Sequence, residues 1–336
     1  MFDDSPFDVT AVEAGSWAPG PYGPDDRLGS YNEVTPQRAA RALALLDTSR
    51  PVVTFDLGET LFNGFPAFGT RRYEQHLVVG GYRPRQPFEG EVLGRGPRGA
   101  NRLSYHEERV TTTYNLGTKI NGLHHCGVGE MFYNGLRGPD LARSWGTAEL
   151  DTAGWPALCT RGLLVDVLAL KLAEGPEEHL TSTSGGLGSL HDDYRITLED
   201  LEAAVERQDL PAFEPGDAVL IRTGWRRMLR EEPERYLAGG PGPYVRECRW
   251  LASSRPALVG ADTWGFEAIA SAVRGGTFSM CHQELLMRYG VRIAEGLQLD
   301  DLAQAGVDRF VFCHSPLRAV GATASNSPPM AIANVR

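Results

Sequence analysis

Lysine is nearly missing from this sequence. Its 336 residues include 33 basic side chains, of which only Lys119 and Lys171 are lysines. The basic residues are outnumbered by 43 Asp and Glu residues, which gives a formal net charge of −10. Affinity for phosphate backbones depends on clustered Lys and Arg side chains. An acidic chain without a basic cluster is therefore not expected to bind nucleic acid.

Long apolar runs and a secretory leader are also missing. No stretch approaches the roughly 18 apolar residues that a membrane-spanning helix needs, so no membrane partner is expected. The first residues, Met1 to Ser5, are acidic and lack the basic and apolar regions of a signal peptide. These absences favour a cytoplasmic location.

Cysteine pairs and the familiar catalytic signatures are missing as well. The five cysteines are scattered and form no C-x-x-C pair, which excludes a zinc ribbon and a disulfide framework and predicts free thiols. Neither a P-loop, a G-x-S-x-G elbow nor an H-E-x-x-H helix is found. Three cysteines neighbour a histidine, but adjacent residues on a strand face opposite sides, which disfavours a Cys/His dyad.

What is present is an alternation of strands and helices, which predicts an α/β fold. Residues 1–30 are rich in Gly, Pro and Asp and are predicted to form an N-terminal arm that packs on the body or on a partner subunit. No convincing linker divides the remainder, so residues 31–336 are predicted to form a single catalytic domain. Residues 60–110 are Gly-, Pro- and Arg-rich and are predicted to form loops and short edge strands.

Several elements carry clear local signals. Thr35-Pro36 and Thr197 to Asp200 are typical helix starts, and the second helix is predicted to reach about Gln208. Apolar runs predict buried strands, and further helices are expected between them. The strands are predicted at 51–55, 163–167, 218–223, 257–260 and 310–312, and the further helices near 282–289 and 299–304.

The most informative stretch runs from Tyr114 to Cys126. It places Asn115, Lys119, Asn121 and His125 close together in a polar segment bounded by glycines. If 117–121 is extended, residues 119 and 121 share a face. A surface loop with two solvated histidines is an equally simple reading of these residues. The retention of a lysine at 119, in a chain that otherwise uses arginine, favours a functional site.

A second group of candidate residues lies near the carboxyl end. His282 is predicted at a helix start and Glu295 just past the next apolar stretch. Each residue taken alone is also compatible with a purely structural polar role.

Taken together, short motifs along nearly the whole chain resemble the longer branch of the Putative cyclase family, which includes bacterial kynurenine formamidase and isatin hydrolase. This resemblance implies a swivelling β/β/α cyclase-like fold, with mixed β-sheets flanked by helices, and a homodimer or homotetramer. The motifs are Gly23 to Gly29 with Asn32 and Thr35-Pro36, Gly117-Thr118, Phe132 to Gly135, Arg161-Gly162, Ile196-Thr197 with Asp200-Leu201, Gly216-Asp217 through Trp225, Gly260 to Thr263, His282 to Leu286 through Glu295, and Ser315 to Leu317 with Gly321 to Thr323.

The resemblance breaks down at the family's metal motif, H-x-G-T-H-x-D-x-P-x-H. Asn115 and Lys119 stand where its two metal-binding histidines belong, Asn121 replaces its aspartate, and only His125, at the acid/base position, is kept. A lysine ammonium cannot ligate a metal, and carboxamides are weak ligands for zinc. His282 and Glu295 resemble the family's further metal-side ligands. The usual metal site is therefore expected to be lost or much weakened, with no cofactor required.

The leading hypothesis is an enzyme in which Lys119 replaces the metal as a fixed cation and stabilises an oxyanion. His125 would act as general acid/base, and His282 with Glu295 would form a second acid/base pair or a salt bridge to Lys119. This chemistry suits cyclisation or dehydration of a small carbonyl metabolite, for example in natural-product biosynthesis. Predicted substrate-binding residues are Asn115, Thr118, Asn121, His124, Phe132, Tyr133, Trp225 and Trp264.

Two alternatives stay open. A displaced site built from His124, His125, His282 and Glu295 could hold Zn or Mn and support hydrolysis of an amide or lactam C–N bond, as an arylformamidase does. The other alternative is a non-catalytic family member that binds a ligand.

Overall fold

The fold was described from a computed structural model that defines residues 2–94, 96–175, 177–183, 188–269 and 277–335. Its strands are β1 Val52–Asp56, β2 Tyr73–Gly80, β3 Glu91–Leu93, β4 Tyr105–Thr112, β5 Lys119–Asn121, β6 Ala142–Arg143, β7 Gly146–Thr147, β8 Leu158–Asp166, β9 Leu180–Thr181, β10 Ser189–Leu190, β11 Ala218–Arg222, β12 Leu258–Ala261, β13 Arg292–Glu295, β14 Arg309–His314, β15 Ala324–Ser325 and β16 Met330–Asn334.

Short helices connect these strands. The α-helices are α1 Val9–Glu13, α2 Pro36–Leu43, α3 Gly138–Leu141, α4 Val167–Glu174, α5 Leu198–Arg207, α6 Met228–Glu231, α7 Pro233–Ala238, α8 Val245–Ser253, α9 Met280–Gln283 and α10 Asp300–Gln304. A π-helical turn, Glu284–Arg288, continues α9. The 3₁₀ turns are Gly29–Glu33, Tyr133–Gly135, Thr152–Gly154, Glu177–His179 and Trp225–Arg227.

A nine-stranded mixed sheet, in the order β1-β16-β14-β8-β11-β12-β13-β5-β15, organises the α/β fold. Strands β8, β11, β12 and β13 are parallel and central, whereas β14 on one side and β5 on the other run antiparallel to them. Parallel strands are usually covered on both faces, and their apolar runs reflect this burial. The predicted α/β class with a mixed sheet flanked by helices is confirmed.

The sheet divides the apolar core into two layers. Side chains of successive strand residues point to opposite faces. Leu163 and Val165 accordingly pack in the core that includes residues of α4, α5 and α8, whereas Leu164 packs in the core on the other face, with Phe310 and Phe312.

Local sequence signals explain where several elements begin. The Thr35 hydroxyl accepts a hydrogen bond from the Arg38 N–H at the start of α2, and Thr197 and Asp200 form a capping box on α5. Most predicted boundaries differ from the observed ones by one or two residues, and one difference has a clear cause: the run 163–167 stops being a strand after Asp166. The Asp166 carboxylate caps Ala169 N–H, so α4 begins at Val167.

The region 60–110 also differs from its prediction as loops and short edge strands. Strands β2 and β4 are each eight residues long and pair along their full length, and β3 completes a separate three-stranded sheet. Most β4 side chains are exposed, so the apolar periodicity that signals a buried strand is missing here.

The predicted N-terminal arm packs on the body of the protein. The Arg249 guanidinium donates hydrogen bonds to the Asp3 carboxylate at 2.8 Å and to the Ser5 carbonyl at 2.8 Å. Farther along the arm, Asp26 accepts a hydrogen bond of 2.7 Å from the Tyr133 hydroxyl. In the parts of the chain that the structure describes, no helix has the length and hydropathy that crossing a bilayer requires.

Candidate active site

The antiparallel pairing of β5 with β13 brings the two predicted groups of polar residues together. Lys119 lies directly opposite Glu295 in this register, and Asn121 lies opposite Ile293. Gly296, with φ of 63°, follows Glu295, and a Cβ atom there would lie 2.6 Å from the Gly117 carbonyl oxygen. This close approach of the two backbones needs glycine. The segment is a buried strand and not a solvated surface loop.

Lys119 and Glu295 form a buried ion pair at the centre of the site. Their side chains are only 7% and 1% exposed, and the Lys119 ammonium bonds directly to Glu295 Oε2. Asn121 joins both groups, because its Oδ1 accepts from Lys119 Nζ at 3.0 Å and its Nδ2 donates to Glu295 Oε2 at 3.0 Å. Although burial alone would raise the pKa of Glu295, Lys119 and His282 hold it far below its usual value. Glu295 is therefore a permanent carboxylate.

His282, in α9, lies between two carboxylates. Its Nε2 is 3.0 Å from Glu295 Oε1, and its Nδ1 is 3.5 Å from Glu267 Oε2, an ion pair without hydrogen-bond geometry. Burial alone would lower the pKa of His282, but the charges of Glu295 and Glu267 raise it well above its usual value. His282 is thus an imidazolium that holds both acidic side chains in place.

His125 has a different environment, although it lies only a few residues from Lys119. It follows a turn after β5 in which its N–H donates to the Gly122 carbonyl at 3.0 Å. Burial, followed by the positive charges of Lys119 and His282, lowers the pKa of His125 to about 3. The ring is therefore neutral at physiological pH, and a pKa this low makes it a weak base in the free protein. Its centroid lies 6.4 Å from that of His282.

These side chains face a cavity of about 120 Å³. Its lining combines the charged centre with an apolar rim: Arg71, Lys119, His125, Cys126, Trp264, Gly265, Glu267, Ile269, Phe278, Ser279, His282 and Glu295. Burial raises the pKa of the Cys126 thiol, which makes this cysteine a poor nucleophile.

A smaller cavity of about 30 Å³ adjoins the first and shares Arg71, Lys119 and Trp264 with it. Aromatic rings of Phe65, Phe68 and Tyr236 contribute to its lining. Asn115 also lines it, and Asn115 Oδ1 is buried without a hydrogen-bond partner among the described residues. An unpartnered buried acceptor of this kind needs a donor from a ligand or water.

The structure thus brings together Lys119, Asn121, His125, His282 and Glu295, with Asn115 and Trp264 beside them. Asn121 contacts Lys119 and Glu295 but lines neither cavity, and five other predicted substrate-binding residues do not line either cavity: Thr118, His124, Phe132, Tyr133 and Trp225.

Each of these five residues has a structural contact instead. Thr118 bonds to the Gly296 carbonyl at 2.5 Å, His124 bonds to Thr147 and packs edge-on against Phe132, and Trp225 lies in an apolar cluster. Tyr133 is fully buried and holds the arm residue Asp26. Periodicity along one strand cannot show which neighbouring side chains a three-dimensional cavity will include.

Two charged residues of the site were missed by sequence reasoning. Glu267 follows a Gly-Phe pair with no distinguishing pattern. Arg71 is one of the chain's 31 arginines and lies in a Gly- and Arg-rich stretch. The nearby family motif from Gly260 to Thr263 was the only signal that could have led to Glu267. No signal for Arg71 exists in the single sequence.

The residues at the centre do not fit the metal that the family motif implies. The Lys119 ammonium already makes the contacts to Glu295 and Asn121 that a metal ion at this position would need. The alternative ligand set is not gathered either, since His124 is turned toward Thr147. Among the described residues, the one group whose ligand atoms converge within 4.8 Å is the unrelated, partly exposed set of His191, Asp192 and Asp193.

Comparisons with known proteins agree with this fold. The family model described as "Putative cyclase" matches residues 55–268. A crystal structure titled as a novel cyclase is 26% identical, with 93% of this chain and 98% of that chain covered and a TM-score of 0.74.

Isatin hydrolase A from Ralstonia solanacearum is 16% identical, with 99% of this chain and 100% of that chain covered and a TM-score of 0.58. The enzyme from Labrenzia aggregata, solved with benzyl benzoate, is 19% identical, covers 84% and 94% of the two chains, and has a TM-score of 0.56. Both likenesses concern the fold. The search of curated proteins finds no match.

Proposed function

The chain belongs to the Putative cyclase family, and from this premise we propose that it is an enzyme that acts on a small carbonyl compound by acid/base catalysis. A fixed ammonium, Lys119, takes the electrostatic role of the family's metal. The observation that carries the proposal is the buried bonding of Lys119 to Glu295 and Asn121 at the edge of a cavity that also contains a neutral histidine.

Lys119 can act on a substrate while it stays bonded within the protein. A lysine ammonium has three N–H donors, and Glu295 and Asn121 accept two of them. The third donor is free to meet a substrate oxygen, because the side chain lines both cavities. A preorganised donor in a site with little water stabilises a developing oxyanion far better than the same donor in bulk water.

His125 supplies the proton transfers. As a neutral imidazole it takes the proton from a substrate O–H or N–H group while that group's heavy atom adds to the carbonyl carbon. The carbonyl oxygen then becomes an oxyanion, which Lys119 stabilises. His125 returns this proton to the oxyanion, which gives a neutral carbinol and closes the ring. His125 then takes a second proton, from the ring nitrogen or from the carbon next to the former carbonyl, and delivers it to the hydroxyl as the C–O bond breaks, so that one water leaves and a C=N or C=C bond forms. The step is a dehydrative cyclisation and needs no external oxidant or reductant.

This chemistry suits the charge pattern better than hydrolysis of an unactivated amide, because the described residues that line the cavity do not form a group that could hold a metal ion and so lower the pKa of a bound water to about 7. A metal-dependent amide or lactam hydrolase using Zn or Mn is the competing proposal. A non-catalytic ligand-binding role is the third. A place in natural-product biosynthesis is part of the proposal by analogy alone.

The test combines metal analysis with product mass. Purified protein is incubated with amino- and hydroxy-substituted aryl ketones and, separately, with formanilides and lactams. We expect products that have lost one water, unaffected by EDTA or phenanthroline. His125→Gln should lower the rate about 10²- to 10⁴-fold, the usual contribution of a positioned general base.

Two results would contradict the proposal. Products that have gained one water, together with stoichiometric Zn or Mn and activity that chelators remove, would favour the hydrolase. Tight binding of these compounds without any turnover would favour the non-catalytic role.

A further inference from the structure

The charges inside the main cavity balance without Arg71. Lys119 and His282 are cationic, and Glu267 and Glu295 are anionic, so these four groups sum to zero. Each cation lies against one of these carboxylates. The cavity therefore has no spare charge at its centre. Arg71, which lines the same cavity, adds one uncompensated positive charge at its edge.

The backbone of Arg71 is held in a turn, and its exposed side chain reaches the cavity from there. Arg71 ends this turn, in which its N–H donates to the Phe68 carbonyl at 2.9 Å. The Phe68 ring packs on Trp264, with ring centroids 4.4 Å apart, and Trp264 Nε1 donates to the Gly239 carbonyl at 2.9 Å. The turn is thus anchored to a tryptophan that itself lines both cavities.

The guanidinium of Arg71 stands out among the arginines near the cavity. Arg72 lies 3.4 Å from Glu74, and both Arg226 and Arg230 pair with Glu59. For Arg71, no carboxylate within 4.0 Å is recorded in the described part of the chain. An exposed arginine that lines a cavity, stands on an anchored turn and has no carboxylate partner among the described residues is suited to an external anion.

We propose that Arg71 is the specificity-determining residue that binds a carboxylate of the substrate, and that the substrate is a carbonyl compound carrying one carboxylate and an aromatic ring. This rests on the proposed function. The carboxylate would contact Arg71 at the junction of the two cavities. The ring would lie against Phe68 and Trp264, and the carbonyl oxygen would meet Lys119. A single negative charge then neutralises the single spare positive charge.

Arginine suits this role through shape as well as charge. Its planar fork can donate two parallel hydrogen bonds to one carboxylate, whereas a lysine ammonium acts as a point charge. Lysine at this position should therefore keep part of the anion preference and lose the bidentate geometry. A neutral side chain should lose the preference altogether.

Equilibrium binding tests the proposal without any need for turnover. Isothermal titration calorimetry would compare benzoylformate and phenylpyruvate with their neutral methyl esters, on the wild type, R71Q, R71K and R72Q. Arg72→Gln is the matched control. It also removes one positive charge, but from the neighbouring residue, whose guanidinium does not line the cavity. Hydrogen bonds to a charged group contribute about 1.5–3 kcal/mol, or roughly 10- to 150-fold in affinity.

We expect the wild type and R72Q to bind the carboxylates at least about tenfold more tightly than the esters. R71Q should bind the two classes equally, and R71K should fall between. The proposal is overturned if the wild type does not bind the carboxylates, if it binds acids and esters alike, or if R71Q keeps the preference.

The binding result separates this inference from the proposed function. If chelators abolish turnover but the anion preference still depends on Arg71, only the acid/base proposal fails. If turnover depends on His125 but R71Q binds carboxylates like the wild type, only the substrate inference fails. Circular dichroism of R71Q against R72Q checks that the exposed turn has not unfolded.

Discussion

The two lysines of the chain are both buried, yet they have contrasting surroundings. Lys119 and Lys171 have side chains that are 7% and 8% exposed, and each forms an ion pair with a carboxylate. Lys171 Nζ lies 2.5 Å from Asp200 and 2.9 Å from Glu174. Lys119 instead bonds to Glu295 and to a neutral amide, Asn121.

The surroundings decide what each ammonium can do. Lys171 ties α4 to the capping box of α5 through Asp200, and Tyr194 lies beside it. Burial alone would lower the pKa of Lys171, but hydrogen bonds to Asp200, Glu174 and Tyr194 raise it above its usual value. Lys119 has one carboxylate partner, Glu295, and also lines a cavity that contains His125. Rarity and burial are thus shared by both lysines, and access to a cavity separates them.

Replacement of each lysine by methionine should give the largest contrast, in turnover. Lys119→Met removes the proposed oxyanion donor, and loss of one such donor costs about 10²- to 10³-fold in kcat. Lys171→Met should leave kcat within about twofold, because Lys171 touches neither cavity and such effects arise from contacts to the transition state. Steady-state kinetics on the cyclising substrate measures both values.

Equal losses of kcat in the two variants would contradict a special role for Lys119, because a shared defect in folding would then explain both losses. Lys119→Arg serves as the companion variant. It keeps the charge but alters the geometry, so it should recover only part of the lost rate.

The two methionine variants should differ much less in their free energy of unfolding than in kcat. Removal of one partner from a buried ion pair typically costs about 3–5 kcal/mol, because the other charge stays buried without compensation. Lys171→Met should therefore lower the free energy of unfolding by about 3 kcal/mol. This value is at the lower end of the range because Glu174, one of the two carboxylates left behind, is partly exposed to solvent. Lys119→Met, which leaves Glu295 beside His282 alone, should fall in the same range. Urea unfolding checks both values, and an unchanged midpoint for Lys171→Met would contradict its structural role.

The smallest effect concerns proton binding by His125. Its pKa is about 3 in the folded protein, against about 6.5 for a free histidine. Between these values the unfolded chain binds a proton that the folded chain does not, so stability is lost as the pH falls from about 6.5 to 3. Because Lys119 contributes to the low pKa, Lys119→Met should move the pKa of His125 up, and Lys171→Met should leave it unchanged.

Carbon-13 NMR of labelled histidine, with His125→Gln to assign the signal, measures this directly. A His125 signal that titrates at the same pH in the wild type and in Lys119→Met would show that Lys119 does not act on His125. The urea midpoint of the wild type should also fall more steeply with acidification than that of His125→Gln.

Local patterns in the sequence predicted most of the central sheet and part of the site. Apolar runs predicted β8, β11 and β14, capping residues predicted α2 and α5, and alternation along 117–121 put Lys119 and Asn121 on one face. These features depend on neighbours within a few residues, which a single sequence contains.

The rest depended on contacts between distant segments. Arg71 and Glu267 join the cavity through turns whose position relative to β5 no periodicity encodes. Trp225 and Tyr133 are aromatic residues near family motifs, yet both are wholly buried in the core. Aromatic side chains are the largest contributors to cores, so their presence alone does not distinguish a wall of a site from packing.

The pairing of β5 with β13 also has a consequence for the order in which parts of the chain can fold. Lys119 and Glu295 are 176 positions apart, and β5 is held between β13 and β15, which both come late in the chain. Contacts of such long sequence separation form only after a large loop has closed. During synthesis, the first two thirds of the chain can leave the ribosome with Lys119 still lacking its carboxylate. The candidate site is thus completed only with the last strands, and a nascent or prematurely ended chain lacks the Lys119–Glu295 pair.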